Sequence, residues 1–288
     1  MTPTKILDYE NNGVCTVVDG DFLYLGSNGI ISKYRLEDMA LIGSIVIKDK
    51  FKKAIYNYLW FKVYEDYVFI IDFCDLHVVK KDDLQLQYTI RLGENVSSDI
   101  TGFLDFDFPT VYIKIRNGKI DVFDINTKKS MQLEISYTTS WSHCINKNRI
   151  YYSTGTGALL ELERYSLQEL RRVQLTKKMN IYSVVYHNDM LYTTAEQGFR
   201  VVDVSTLEIV RHEPKVFSST EAQILGICGN SFVVVERMKV ALFDTQTLQL
   251  QDRFDFPTGY RFMRYAVLKG DKLYGSDEHG IYCCTLNR

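Results

Sequence analysis

Apolar residues along this chain fall into short runs of about five, separated by tight clusters of Gly, Asn, Asp and Lys. The runs group in fours. A first run leads into a turn, as in "VCTVVDGD", "VYHND" and "VLKGD". A second follows, as in "FLYLG", "VFIID", "IYYST", "MLYTT" and "FVVVE". A tight turn comes next ("RNG", "TGTG", "EQG", "DEHG"), then a third run and a fourth, such as "LIGSIVI" or "LQDRFDF". Runs of this length, rich in Val, Ile, Tyr and Phe and bounded by turn formers, predict β-strands joined as hairpins. Gly and Asn in the turns supply the positive φ that two-residue connections need. Helical periodicity is weak throughout.

The grouping is periodic. "VVDVSTLEI" at 201–209 is matched by "LFDTQTLQL" at 242–250, placing Asp203 under Asp244. Backwards, Glu163, Asp124, Lys80 and Arg35 take the same place; forwards, Leu286 does, at intervals of 45, 44, 39, 40, 41 and 42 residues. Four strands in a unit of about 40 residues is the signature of a β-propeller blade. The seventh unit holds three strands, and residues 4–9 form a spare strand that would complete it, leaving no open sheet edge at the join. The predicted fold is all-β: a seven-bladed propeller of four-stranded antiparallel blades, closed by the N-terminal strand. One domain is expected over 1–288, with blades near 13–47, 58–92, 99–135, 137–176, 180–216, 222–256 and 260–287 plus 4–9.

Phe123-Asp124, Val202-Asp203 and Phe243-Asp244 end third strands, with Thr127, Thr206 and Thr247 beyond them. Over the whole chain this resembles the WD-repeat family in a degenerate form: Asp and Thr keep their places, while the tryptophan before the Asp and the Gly-His pair are missing. The resemblance implies a propeller, without the usual Asp–His–Ser/Thr network. A fold of this kind hosts scaffolds and enzymes alike.

With 46% hydrophobic and 24% charged residues the chain reads as globular, and a net charge of −2 supplies no field for general nucleic-acid binding. No window approaches 18 consecutive apolar residues, so no membrane span is expected, and the N-terminus lacks the pattern of a secretory signal. The six cysteines include no C-x-x-C and are expected to be free thiols in a reducing, cytoplasmic setting.

Nucleophile-elbow, phosphate-loop and zinc-protease motifs are absent. His77 and His279 are expected in the second turns of blades 2 and 7 and, with nearby Asp75, Asp277 and Glu278, are a minor metal candidate. The predicted inner strands carry almost no carboxylates, Asp99 and Asp105 excepted. The expectation is therefore a protein that is not an enzyme and holds no cofactor or metal.

Basic and aromatic residues gather in the second turns and the connections entering first strands, which share one face. Lys52, Lys53 and Tyr58 lie in the longest connection; Tyr137, Trp141, Lys177, Lys178, Tyr182, Tyr260, Arg261 and Arg264 lie in others. Tyr, Trp and Arg dominate binding hot spots because they bury area yet keep a polar group. The sequence thus predicts a non-catalytic protein-interaction scaffold, a monomeric propeller within an intracellular hetero-complex, binding proteins through this loop face. The alternatives are an enzyme or small-ligand binder using the central channel, and RNA stacking led by Lys52/Lys53 and Lys177/Lys178.

Overall fold

The computed structural model describes residues 1–8, 15–27, 29–47, 60–72, 75–91, 100–107, 109–115, 119–134, 142–177, 179–256, 266–277 and 279–286. These residues form strands and turns, with no helix among them. Strand β1 (Thr4–Asp8) precedes six complete sheets. Blade 1 is β2 (Cys15–Asp19), β3 (Phe22–Ser27), β4 (Ile30–Arg35) and β5 (Leu41–Val46); blade 2 is β6 (Trp60–Tyr64), β7 (Tyr67–Asp72), β8 (Asp75–Lys80) and β9 (Leu86–Arg91). Blade 3 is β10 (Ile100–Asp107), β11 (Thr110–Ile115), β12 (Lys119–Asp124) and β13 (Lys129–Glu134); blade 4 is β14 (His143–Asn146), β15 (Arg149–Ser153), β16 (Ala158–Glu163) and β17 (Glu169–Gln174). Blade 5 is β18 (Ser183–His187), β19 (Met190–Ala195), β20 (Gly198–Asp203) and β21 (Ile209–Glu213); blade 6 is β22 (Gln223–Cys228), β23 (Ser231–Glu236), β24 (Lys239–Asp244) and β25 (Leu250–Asp255). Blade 7 is β26 (Val267–Lys269), β27 (Lys272–Ser276) and β28 (Gly280–Thr285), and β1 completes it, pairing Thr4 with Cys283 and Asp8 with Gly280. Six sheets are antiparallel meanders of four consecutive strands and the seventh is a three-stranded meander completed by β1, as the hydrophobic runs predict.

The chain divides into two compact units, one of residues 1–102 with 255–288 and one of 103–254. In the first, blade 1 packs on both sides. Val18, Leu23 and Leu25 meet Tyr274 and Ile281 of blade 7, while Tyr24 and Ile31 meet Phe61, Val68, Ile70 and Val79 of blade 2. In the second, Ile150, Tyr152 and Leu160 of blade 4 pack on Leu104 and Tyr112 of blade 3; Tyr151 and Leu159 pack on Val184, Leu191 and Val202 of blade 5. Phe199 of blade 5 packs against Phe232 and Phe243 of blade 6. In blades 1, 4 and 5 the middle strands are apolar on both faces because each packs on a neighbouring blade on either side. Each such side chain contributes about 1.5–3 kcal/mol by leaving water.

The repeated phrase is a turn device. Asp203 Oδ1 accepts from the amides of Ser205 (2.8 Å) and Thr206 (3.1 Å), and Asp244 Oδ1 from those of Gln246 (3.0 Å) and Thr247 (2.7 Å). Glu163 takes the same role for Tyr165 and Ser166. The next residue, Leu84, Leu167, Leu207 or Leu248, has φ of 56–60° and is buried. A leucine in the left-handed region costs roughly 1–2 kcal/mol, offset here by its burial between blades.

Cations lock one blade to the next at the same place. Arg171 of β17 donates from Nη1 to Ser205 O (2.6 Å) and from Nη2 to Val204 O (2.8 Å) in the turn of blade 5. Arg211 of β21 donates to Gln246 O (2.8 Å) and Thr247 O in the turn of blade 6. In blade 1 the corresponding outer-strand residue is Gly43, and its cross-strand partner Lys33 takes over. Lys33 is 5% exposed, donates to Lys81 O (2.9 Å) and Asp82 O (3.3 Å), and lies 4.2 Å from the Phe22 ring centroid. Burial pulls its ammonium below the ordinary lysine range.

Candidate interaction face

The second turns and the connections entering each first strand lie at one end of the blades, where the sequence places its basic and aromatic candidates. Lys177 and Tyr182 are described there: Lys177 is exposed, and Tyr182 is half-buried with its amide donating to Thr194 O (2.9 Å). Lys52, Lys53, Tyr58, Tyr137, Trp141, Lys178, Tyr260, Arg261 and Arg264 lie outside the described residues.

Among the described residues of the 103–254 unit, two tethered connections lie at this end. The first, 175–182, hangs on the turn between β15 and β16. Thr154 closes that turn through its hydroxyl, which accepts from Ala158 N (3.0 Å). Gly157 sits at φ +81° and presents its carbonyl to Leu175 N (2.9 Å) and Thr176 N (3.1 Å). A Cβ on Gly157 would lie 2.0 Å from Thr176 Oγ1, so only glycine fits. Thr176 Oγ1 then donates to Met179 O (2.7 Å) and accepts from Met179 N (3.1 Å), folding the backbone back over Lys177. Met179 projects outward, 40% exposed, while Ile181 is buried.

The second connection, 214–222, is anchored by a ring and an anion. Phe217 is buried 4.6 Å from Phe199 and 5.4 Å from Phe243, centroid to centroid, and its amide donates to Gln197 O (3.0 Å). Glu236, whose side chain is 0% exposed, accepts from Ser218 N (3.1 Å), from the Ser218 hydroxyl and from Arg253 Nη2 (3.1 Å). Arg253 Nη2 also reaches Val216 O (3.2 Å). The adjoining turn exposes Arg237, Met238 (54%) and Lys239, and Lys215 is exposed in the connection. Sequence reasoning missed Met179 and Met238; "KKMN" and "RMKV", methionine beside cations at a turn, were their only signal.

First strands are stitched together beneath this end. Ser142 Oγ accepts from Val184 N (3.0 Å), and Ser183 Oγ accepts from Ile224 N (3.0 Å). Burial pushes the Cys144 thiol up to about 12, so it stays protonated and unreactive at neutral pH. Cys15, Cys144, Cys228, Cys283 and Cys284 form no disulfide among the described residues, and Cys74 lies outside them.

The metal candidates do not converge. His77 lies inside β8 rather than in a turn, with Nδ1 2.8 Å from Thr89 Oγ1, and Asp75 is engaged by Arg91 (3.2 Å). Asp277 caps its own hairpin by accepting from His279 N (2.8 Å) and Gly280 N (3.0 Å); Glu278 lies outside the described residues. Among the described residues no group of three or more His, Cys, Asp or Glu is placed to hold a metal. Asp105 is buried and paired with Arg164 (2.6 Å), which joins blade 4 to blade 3. Asp99 lies outside the described residues. No helix among the described residues is long and apolar enough to cross a membrane.

No protein-family model matches the chain, and no curated protein matches it. Solved structures do. The WD40 domain of Neurospora crassa Pan2 superposes with a TM-score of 0.72 at 12% identity, over 96% of this chain and 90% of that one. The computationally designed protein Ika8 superposes with a TM-score of 0.65 at 13% identity, over 98% and 99%. At such identities the likeness establishes the fold alone: a seven-bladed β-propeller.

Proposed function

We propose that this protein is a non-catalytic interaction scaffold that binds another protein through the end of the blades formed by the second turns and the entering connections. One observation carries the reading: connections 175–182 and 214–222 are tied down by part-buried hydrogen bonds, and exposed Lys177 and Met179 of the first stand at the same end as exposed Met238 of the β23–β24 turn. Exposed methionine has no role in solubility, whereas its flexible, polarizable side chain suits a contact surface. Backbone already held in place loses little conformational entropy on docking, so more of the contact energy appears as affinity. Lys52, Lys53, Tyr58, Tyr137, Trp141, Lys178, Tyr260, Arg261 and Arg264 belong to the same proposed surface through their positions in the repeat.

The test is affinity capture from the native source with wild-type protein beside a variant carrying alanine at Lys177, Met179, Tyr182, Met238 and Arg261. The two must first melt at the same temperature. A stoichiometric protein partner retained by the wild type and lost by the variant is the expected result. A partner held equally by both would move the binding surface off this end of the blades.

A further inference from the structure

Each blade ends in an outer strand whose far edge no other strand of its sheet covers. Six of these seven strands carry a cation: Lys5 in β1, Arg91 in β9, Lys129 in β13, Arg172 in β17, Arg211 in β21 and Arg253 in β25. Charge on an edge strand keeps other chains from pairing with it. Strand β5 is the exception. It reads Leu-Ile-Gly-Ser-Ile-Val, with no charge, and exposes Leu41 (58%), Ile42 (42%) and Val46 (54%). The place of Val46, opposite Ile30, is taken by Arg91 opposite Asp75 in blade 2 and by Gln174 opposite Ala158 in blade 4.

The free edge of β5 also matches itself. Its register on β4 runs through Lys33–Gly43 and Ile31–Ile45, and continues as Ile47 N donating to Gly29 O (2.8 Å). Residues 43, 45 and 47 therefore turn their backbone groups toward β4, and alternation turns those of Ser44 and Val46 outward. Two copies of the strand, antiparallel about a two-fold axis at Ser44, exchange two N–H···O bonds between their Ser44 residues. Val46 of each copy then lies opposite Ile42 of the other, so the exposed apolar side chains cover one another. The same axis in β17 would fall on Arg172, which stands opposite Leu160 as Ser44 stands opposite Ser32, and would set like charges face to face.

We infer that β5 pairs antiparallel with β5 of a second copy of this chain, joining two first blades into one eight-stranded sheet. Isologous pairing uses up both edges, so growth stops at two. Six residues per chain bury less than the roughly 1,200 Å² of a stable interface. The dimer is therefore reversible, with Kd on the order of 100 µM, and the monomer expected from sequence is its low-concentration form. None of the residues changed in the loop-face variant lies in β5, so partner capture and self-association are read separately.

Sedimentation velocity of the full chain from about 10 to about 500 µM brackets that Kd. The expected result is a weight-average mass that climbs from monomer toward dimer and no further. Ser44→Lys sets two ammonium groups at the axis and should weaken association by roughly tenfold or more. It should leave the melting temperature unchanged, because Ser44 is exposed. Gln87→Lys, at the place of Ile42 in β9, should leave association unchanged. The Cα atoms of a hydrogen-bonded pair are about 5.5 Å apart, within disulfide reach. Ser44→Cys should therefore cross-link as a dimer under mild oxidation, and Gln87→Cys should not. A wild-type chain monomeric across the whole range would overturn the inference and leave this edge to a strand from another protein. Association undiminished in Ser44→Lys, or species larger than a dimer, would place the contact elsewhere and overturn it as well.

Discussion

Replacing Glu236 by glutamine is the most informative single perturbation of the 214–222 connection. The carboxylate is wholly buried and holds three groups: the Ser218 amide, the Ser218 hydroxyl and Arg253. Glutamine can keep its oxygen on Ser218, but its NH₂ then faces the Arg253 guanidinium, donor against donor. Arg253 keeps only Val216 O, since its Nε is buried without a partner. Breaking a fully buried pair costs about 3–5 kcal/mol. Arg253 is 28% exposed and water recovers part of that loss, which leaves about 2–4 kcal/mol. Equilibrium urea unfolding reads this as a lowered midpoint with unchanged slope. Hydrogen exchange at the Ser218 amide reads the local release, and capture of the partner should weaken in parallel. Adding Arg253→Met removes the stranded cation, so the double variant should recover about 1–3 kcal/mol relative to additivity. A Glu236→Gln protein within about 0.5 kcal/mol of wild type, with Ser218 still protected, would refute the reasoning.

At Leu207, alanine should cost about 2–4 kcal/mol through the lost core contact, but glycine should cost about 1 kcal/mol less than alanine because φ is +60°. Chemical denaturation ranks the two, and alanine equal to or better than glycine would contradict the turn's strain. Gly157→Ala should cost about 2 kcal/mol or more and expose the 176–180 amides to exchange, since its Cβ meets Thr176 and Met179 O. Turn hydrogen bonds hold Asp203 and Asp244 below the ordinary 3.8. A depressed carboxylate stabilises above its unfolded value and loses that contribution as pH falls through the folded one. Wild-type stability should therefore decline from about pH 5 to about pH 3, and the Asp203→Asn/Asp244→Asn variant, which keeps the acceptor oxygen, should decline less; identical pH profiles would rule out these caps.

Strand order and blade number were legible because two features repeat together: apolar runs and the Asp-x-x-Thr-Leu turn. The Asp and Thr of that turn announce their hydrogen bonds through chemistry. The leucine's left-handed backbone was not legible, since leucine avoids that region unless tertiary burial overrides it. The cation lock was hidden for a different reason. Lys33 comes from the third strand while Arg171 and Arg211 come from the fourth, so no alignment column holds one residue type; only the cross-strand register reveals one position in space. His77, expected in a turn, is the third residue of β8, where its ring meets the Thr89 hydroxyl. Of the candidate residues named from sequence, Lys177 and Tyr182 lie in the 175–182 connection, whereas the groups that tether the 175–182 and 214–222 connections, Gly157, Thr176 and Glu236, read in sequence as ordinary turn and strand residues.

Blade 7 joins Thr4 to Cys283, 279 positions apart in the chain. A ribosome adding 5–20 residues per second emits the first partner roughly 15–55 s before the second. Through that interval β1 has no sheet to join, while blades 1 to 6 each contain all four of their own strands and can form in the order they emerge. Assembly therefore ends at this seam rather than beginning there, and a nascent chain stalled before residue 280 would carry a finished set of blades with one unpaired strand at its leading end. That intermediate offers a chaperone, or another copy's C-terminal hairpin, a specific place to engage.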